Sequence, residues 1–427
     1  MTKQTGAQSV VVAQDRKDPQ QAVPNLPFME FITLMALLMS LVALSTDAIL
    51  PALETLGREL DQTAPQQLQK VVTILFAGLA TGQLLYGPLS DQIGRKKCIF
   101  LGLALFLVGN LLSWSSTSYS QLLIGRFLQG FGVAGPRIVL IALIRDLFAG
   151  RAMARIMSFI MGVFIFVPAI APMLGQSVAS LAGWRAIFLA SILLSAIGGF
   201  WLFFRQKETL LPAKRIRITP SSLWHGTRIV FTTPSCFGYM IAAGIVSGPF
   251  ILYLSTAQDL FQNTYGVGDH FPYFFAGLAL SIGLASFLNS GLVMKYGMRL
   301  LARTALVSMA ILASLALLLS YSSGFVPSMW LLLALFSPLF FCLGLLFGNM
   351  NTLAMEEVGQ VAGLASAWIG SISTFLAMGI ATLMGQFYDG TILSMAASFA
   401  VCALGTLVVI YFTEQWRDAK GHSDNPA

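Results

Sequence analysis

Charge is scarce in this chain. Asp, Glu, Lys and Arg together make up 10% of its 427 residues, whereas 56% are hydrophobic, and a soluble protein of this length could not hide so much apolar surface behind so few charges. Histidine is scarcer still: His225, His270 and His422 fall in loops or tails, which leaves little for an embedded hydrolase or a histidine-based metal site. There is no GxSxG and no P-loop, so neither acyl-transfer chemistry nor a nucleotide-driven motor is indicated. Cys98, Cys236, Cys342 and Cys402 lie in or at the edge of apolar segments without metal-ligand spacing and read as packing residues. No cofactor and no metal are expected, and the chain is not read as an enzyme. A channel or receptor would need a continuous polar lining or an appended soluble domain, and neither is visible.

What is present is a series of twelve apolar stretches, near 28–50, 68–89, 98–117, 121–146, 152–180, 184–205, 235–257, 270–293, 300–321, 328–350, 360–383 and 391–413. A helix rises about 1.5 Å per residue and the hydrocarbon core is about 30 Å thick, so each stretch is long enough to span once. The fold class is therefore an all-α integral membrane protein of twelve transmembrane helices. Residues 1–27 are polar and read as a disordered cytoplasmic tail rather than a cleavable signal. Residues 28–205 form a first six-helix half, 206–234 a basic cytoplasmic linker, 235–413 a second six-helix half and 414–427 a second cytoplasmic tail.

Basic residues orient this array. With both termini cytoplasmic, twenty Lys and Arg fall on the cytoplasmic side, among them Lys96, Lys97, Arg145, Arg151, Arg155, Arg205 and Arg215, and only Arg58, Lys70 and Arg185 on the other. The same bias explains the formal charge of +7 without nucleic acid: these residues face lipid headgroups. The partners expected are a small-molecule substrate, protons and the bilayer, with no nucleic acid, and the chain is expected to act as a monomer.

The two halves carry a faint repeat. Gly87, Leu89, Asp91, Gly94, Arg95, Lys96 and Lys97 follow the second stretch, and Lys295, Gly297 and Arg299 follow the eighth; aligned on Gly94 and Gly297, Met294 replaces Asp91. Duplication of this kind is what parallel transporter repeats leave, with a substrate site where the halves meet.

At these residues the sequence resembles the major facilitator superfamily, and within it the twelve-span drug:proton antiporters of the Bcr/CflA type. The G-x-L-a-D-r-x-G-r-k pattern is met at Gly87, Leu89, Asp91, Gly94, Arg95 and Lys96. Arg126, Gln129, Gly130 and Gly132 are similar to the family's fourth-span motif. Gly162, Pro168, Pro172 and Gly175 are similar to its fifth-span motif, with Ala171 and Gln176 where glycines are usual. The resemblance implies a proton-coupled exporter of small amphipathic compounds such as drugs, working by alternating access in the cytoplasmic (inner) membrane, with the loop around Asp91 as a latch. The alternative is a transporter of an anionic metabolite or siderophore-like carboxylate, in either direction.

Asp47 and Arg126 are the leading site residues. Both fall in the outer third of the bilayer, where a charge is costly, and read as ion-pair partners for proton and substrate coupling. Arg137 follows Arg126 by eleven residues, on one helix face, and reads as a selectivity residue. Tyr253, Asn289, Asn349 and Asn351 are candidates to line the other half of the cavity, with Trp368 and Phe375 as aromatic walls; the asparagines read equally well as interhelical hydrogen bonds. In the latch, Gly87, Asp91, Gly94, Arg95 and Arg145 are expected to cooperate: Gly94 turns at positive φ, and Arg145 is a plausible partner for Asp91.

Overall fold

The computed structural model describes residues 26–148, 150–215 and 219–423. Lys3, Arg16, Lys17 and Arg217, and nearly all of the expected first tail, lie outside the described residues. Hydrocarbon offers backbone groups no partner, so a spanning segment must satisfy them internally, and the α-helix does so. Among the described residues there are helices and turns and no strand.

Twelve helices are long and apolar enough to cross a membrane. In order, spans 1 to 12 are Phe28–Glu59, Pro65–Ile93, Arg95–Trp114, Tyr119–Leu147, Arg155–Ala182, Arg185–Arg205, Pro234–Thr264, Gly268–Tyr296, Met298–Tyr321, Met329–Met355, Gly359–Gly385 and Leu393–Ala419. Twelve crossings bring the start of span 1 and the finish of span 12 to one end of the bundle, the terminal end; the other is the distal end.

Three boundaries depart from the sequence reading for physical reasons. Span 1 is α-helical over Phe28–Asp47, tightens into a 3₁₀ turn at Leu50–Ala52 and resumes as a helix over Leu53–Glu59. Pro51 cannot donate a backbone hydrogen bond, so the α-ladder stops just after Asp47. Span 2 runs to Ile93, and the expected loop at 87–97 shrinks to a single residue, Gly94, at φ 104°. The expected linker at 206–234 contains a helix, Pro220–Thr232, capped reciprocally by Thr219 and Ser222. It docks on span 11, whose Trp368 donates Nε1–H to Thr227 Oγ1 at 3.0 Å and meets the Phe231 ring edge-on at 5.1 Å.

Between helices in lipid there is no hydrophobic drive to associate, so close packing of small residues takes its place. Span 4 shows this on two faces. A Cβ added to Gly130 would run into the Leu75 carbonyl of span 2, and one added to Gly132 would run into the backbone of span 3 at Phe106. Span 2 also packs on span 11, and span 5 on span 8, joining the first six spans to the last six. At the distal end these contacts are polar as well as apolar: Gln176 donates to Asp269 Oδ1 at 2.7 Å, and Gln66 to the Tyr388 carbonyl at 3.4 Å.

The apolar core is divided unevenly. One cluster takes in Ile49, Leu50 and Leu53 after span 1's turn together with Tyr253, Leu254 and Phe261 of span 7, so the distal end is sealed across the two sets of spans. A second cluster, with Leu38, Leu103, Val139 and Leu202 among its members, is confined to the first six spans.

Gly130→Ala is expected to lower stability by about 1–3 kcal/mol, the usual cost of forcing a group into a filled interface. Gly162→Ala is the control, since nothing lies within 4 Å of its added Cβ. Thermal unfolding in detergent should show a drop for the first variant and none for the second.

Candidate functional site

Arg126 enters a wholly buried position, with a relative exposure of 1%, and it is held there by oxygen atoms rather than by a carboxylate. Its Nε donates to the Val71 carbonyl of span 2 at 2.9 Å, and its Nη1 to the Ser45 carbonyl of span 1 and to Gln129 Oε1, both at 2.8 Å. The Gln129 amide passes the connection to span 3 through Asn110 Oδ1 at 3.0 Å and Ser113 Oγ at 3.4 Å. One guanidinium thereby ties four spans together. Its Nη2 has no hydrogen-bond partner among the described residues.

The expected Asp47–Arg126 ion pair is not formed, which corrects the sequence reading. Asp47 is 3% exposed and makes no salt bridge or hydrogen bond among the described residues. Equal depth was the argument for pairing, but adjacent helical positions point about 100° apart, so depth fixes a level and not a direction. Arg126 meets span 1 at the Ser45 carbonyl, two residues short of Asp47. Ser45 and Thr46 turn their hydroxyls back to Leu41 and Val42, at 2.6 and 2.9 Å, so neither competes for the Asp47 carboxyl.

Two other elements close on Asp47. Gly175 of the fifth-span motif lies so near the Ala48 carbonyl that no Cβ would fit, which brings span 5 against the backbone beside Asp47. Tyr253 of span 7 is buried within electrostatic reach of Asp47, and its hydroxyl has no hydrogen-bond partner among the described residues. Its ring sits in an aromatic cluster with Phe340 at 4.7 Å and Phe275 at 5.5 Å, and Phe250 continues the wall to Phe347 at 5.5 Å. The Gln176 that replaces a motif glycine makes the distal hydrogen bond to Asp269. In the same motif Pro172 is buried and Pro168 half-buried.

The remaining candidates separate. Arg137 is half-buried and has no hydrogen bond or ion pair among the described residues. Asn289 and Asn349 bond each other across spans 8 and 10 at 2.9 and 3.3 Å, the interhelical reading of these residues. Asn351 spends its amide on the Phe347 carbonyl of its own helix at 2.9 Å, and Trp368 is committed to the Pro220–Thr232 helix. Phe375 is partly exposed.

At the terminal end, the turn between spans 2 and 3 is a knot of charges. Arg95, 4% exposed, donates to Asp91 Oδ1 at 2.5 Å, Ser90 Oγ at 2.7 Å and Asp146 Oδ2 at 2.9 Å. Arg145 is exposed and takes no part; its neighbour Asp146 points inward instead, again a matter of helical rotation. Glu208, just past span 6, accepts the backbone N–H groups of Arg95, Lys96, Thr209 and Leu210, each at 3.0 Å. It caps span 3 from outside the helix and neutralises the positive end of its dipole. Gly87 marks where span 2 touches span 11 at Gly363 and Ala367.

Sequence reasoning missed Glu208 and Asp146, which had no local signal. It named Gln129 as a motif residue without its bonds to Arg126, Asn110 and Ser113. It read the counterpart turn in the last six spans but missed its acidic partners: Gly297 turns at φ 77°, and Arg299 bonds Glu356 at 2.6 Å and lies 3.8 Å from Glu414. Half-exposed pairs of this kind contribute about 0–1 kcal/mol each.

Comparison with known proteins places this geometry. Residues 35–382 match the family described as the Major Facilitator Superfamily. A bicyclomycin resistance protein homolog of Haemophilus influenzae is 29% identical over 395 residues, covering 90% of this chain and 95% of that protein. A chloramphenicol resistance protein of Pseudomonas aeruginosa is 28% identical over 301 residues, covering 68% and 70%. Among solved structures, the xylose transporter XylE from E. coli, in a partially occluded inward open conformation, superposes with a TM-score of 0.69 at 16% identity, over 91% of this chain and 97% of that one.

Removing the Glu208 carboxylate leaves the first N–H groups of span 3 without their acceptor. Glu208→Ala is expected to cost about 0.5–2 kcal/mol, as loss of a helix cap does. Hydrogen exchange at Arg95 and Lys96 should accelerate while exchange around Arg126 stays as in the parent protein; unchanged exchange at the turn would show that the cap is dispensable.

Proposed function

Since the chain belongs to the major facilitator superfamily, we propose that it is a secondary transporter of the cytoplasmic membrane that exports small amphipathic compounds in exchange for protons. The terminal end faces the cytoplasm in this reading, as the excess of Lys and Arg there favours. Residues 28–205 and 235–413 are the two six-helix units that rock about the site between them, joined by the 206–234 connection.

The observation that carries the reading is Asp47: a carboxyl buried where the α-helix of span 1 ends, without a hydrogen bond or ion pair among the described residues, at the contact between span 1 and span 7. Arg126 cannot shed its charge and is already bonded to two carbonyls and an amide. Asp47 can therefore gain or lose its proton without breaking an ion pair. The two forms differ in how much water they require, so a change of access at the distal end shifts the balance between them. The free Nη2 of Arg126 and the free hydroxyl of Tyr253 are donors left for a substrate, and the Phe250–Tyr253–Phe340 wall offers it an apolar surface. Relatives whose names record resistance to bicyclomycin and chloramphenicol support a drug-like, uncharged or amphipathic cargo.

A second reading rests on Arg137. A guanidinium within a span that has no partner among the described residues costs on the order of 2.5–3.5 kcal/mol on insertion scales, and an anionic or carboxylate-bearing substrate would offset that cost. Asp91, Arg95 and Asp146, with Gly94 as the turn and Gly87 at the span 2–span 11 contact, form the conformational latch in either case.

Asp47→Asn is expected to fold normally and to abolish proton movement coupled to substrate in proteoliposomes under an imposed pH gradient; coupled movement at the parent rate would remove Asp47 from the mechanism. In the same vesicles, Arg137→Ala should weaken handling of anionic substrates about tenfold, equivalent to ~1.4 kcal/mol, and leave neutral ones within about twofold. An equal effect on both classes would leave drug export as the sole reading.

A further inference from the structure

A shallow, open groove of ≈ 710 Å³ runs along span 6 on the outer, lipid-facing wall of the first six spans, close to the terminal end, with Glu30 of span 1 at its edge. Ala196, Phe200, Trp201 and Phe204 are among the residues that line it. The stretch from Ala196 to Arg205 is about 13 Å long at 1.5 Å per residue. Phe200 and Phe204 are 68% and 64% exposed, so they are not filling the protein interior.

The terminal mouth of the groove is charged. Arg205 grips Glu30 with Nε at 2.6 Å and Nη2 at 2.7 Å, and Trp201 Nε1–H adds a third bond to the same carboxylate at 3.0 Å. This arrangement holds the guanidinium plane fixed. The Nη1 edge has no bond among the described residues, and the Arg205 side chain is 52% exposed. A fixed guanidinium with a free donor edge matches the two oxygens of a phosphodiester.

An internal comparison shows that the charged mouth is specific. Spans 7 and 12, the counterparts of spans 1 and 6, enclose a groove of ≈ 460 Å³ beside Phe237, Phe412 and Trp416, and no charged residue lines it. An apolar furrow between the first and last spans of a half thus occurs twice, and only one of the two carries a charged pair.

We infer that the groove between spans 1 and 6 is a binding site for a membrane phospholipid, with an acyl chain along Phe200 and Phe204 and the phosphodiester on the free edge of Arg205. The lipid would bridge span 1, which carries Asp47, to span 6.

The test uses the full chain, purified in detergent and stripped of lipid, and follows thermal unfolding as dioleoylphosphatidylglycerol is added. A saturable rise in unfolding temperature is expected, with neither dioleoylglycerol nor glycerol phosphate alone producing it. In Arg205→Gln the concentration for half effect should rise by about tenfold or more. Ala196→Trp, which fills the groove and leaves Glu30–Arg205 intact, should weaken the effect as well, and it keeps the test valid if the arginine variant folds poorly. Dioleoylglycerol acting as well as the phospholipid would overturn the headgroup assignment. Glycerol phosphate alone acting as well, or Ala196→Trp behaving like the parent, would overturn the groove, and a parent-like response in Arg205→Gln would overturn the site as a whole.

Discussion

An arginine in the hydrocarbon region cannot escape its charge, and the distal third of the first six spans is arranged around that constraint. Arg126 finds carbonyl oxygens on spans 1 and 2 and an amide oxygen on its own helix, and the amide extends the connection to span 3. The close approach of spans 2, 3 and 4 that the glycines permit is what brings those acceptors within reach. Asp47, two residues from one of them, is left without a bond of its own among the described residues. An ion pair here would have locked both charges; the carbonyl clamp leaves the carboxyl free to change state.

The same principle, with different acceptors, organises the terminal end. Arg95 is also buried, but it lies where Asp91 and Asp146 can reach it, and the 206–234 connection supplies Glu208 to cap the helix that Arg95 begins. A clamp of carboxylates can be loosened by water in a way that a clamp of backbone carbonyls cannot. In the proposed mechanism this difference gives the two ends different tasks, a fixed frame beside Asp47 and a releasable joint at Gly94. The joint also touches the last six spans, since span 2 meets span 11 at Gly87.

Much of this was legible in the sequence because the bilayer imposes a strong rule: a chain that must satisfy every backbone group internally shows its spans as apolar runs. Gly94 was legible as well, since a glycine between two spans beside basic residues has few other uses. The partners of the charges were not. Depth along a helix follows from residue count, but direction around it depends on neighbours, so Asp47 was matched to Arg126, whose acceptor on span 1 is the Ser45 carbonyl, and Arg145 to Asp91, whose partner is Arg95. The Pro220–Thr232 helix escaped notice because it is short and polar and is held by span 11 rather than by its own pattern. Asn351 looked like a cavity residue only because its bond to its own backbone cannot be seen in a sequence.

The central claim is that Asp47 is an unpaired, exchangeable carboxyl whose protonation is tied to substrate. Infrared difference spectroscopy on the purified chain, comparing substrate-bound with substrate-free protein and each with Asp47→Asn, tests it most directly. The account predicts a carboxyl band that changes when substrate binds and is missing from the Asp47→Asn spectrum. A band assigned to Asp47 that stays the same with and without substrate, in protein that still transports, would contradict it.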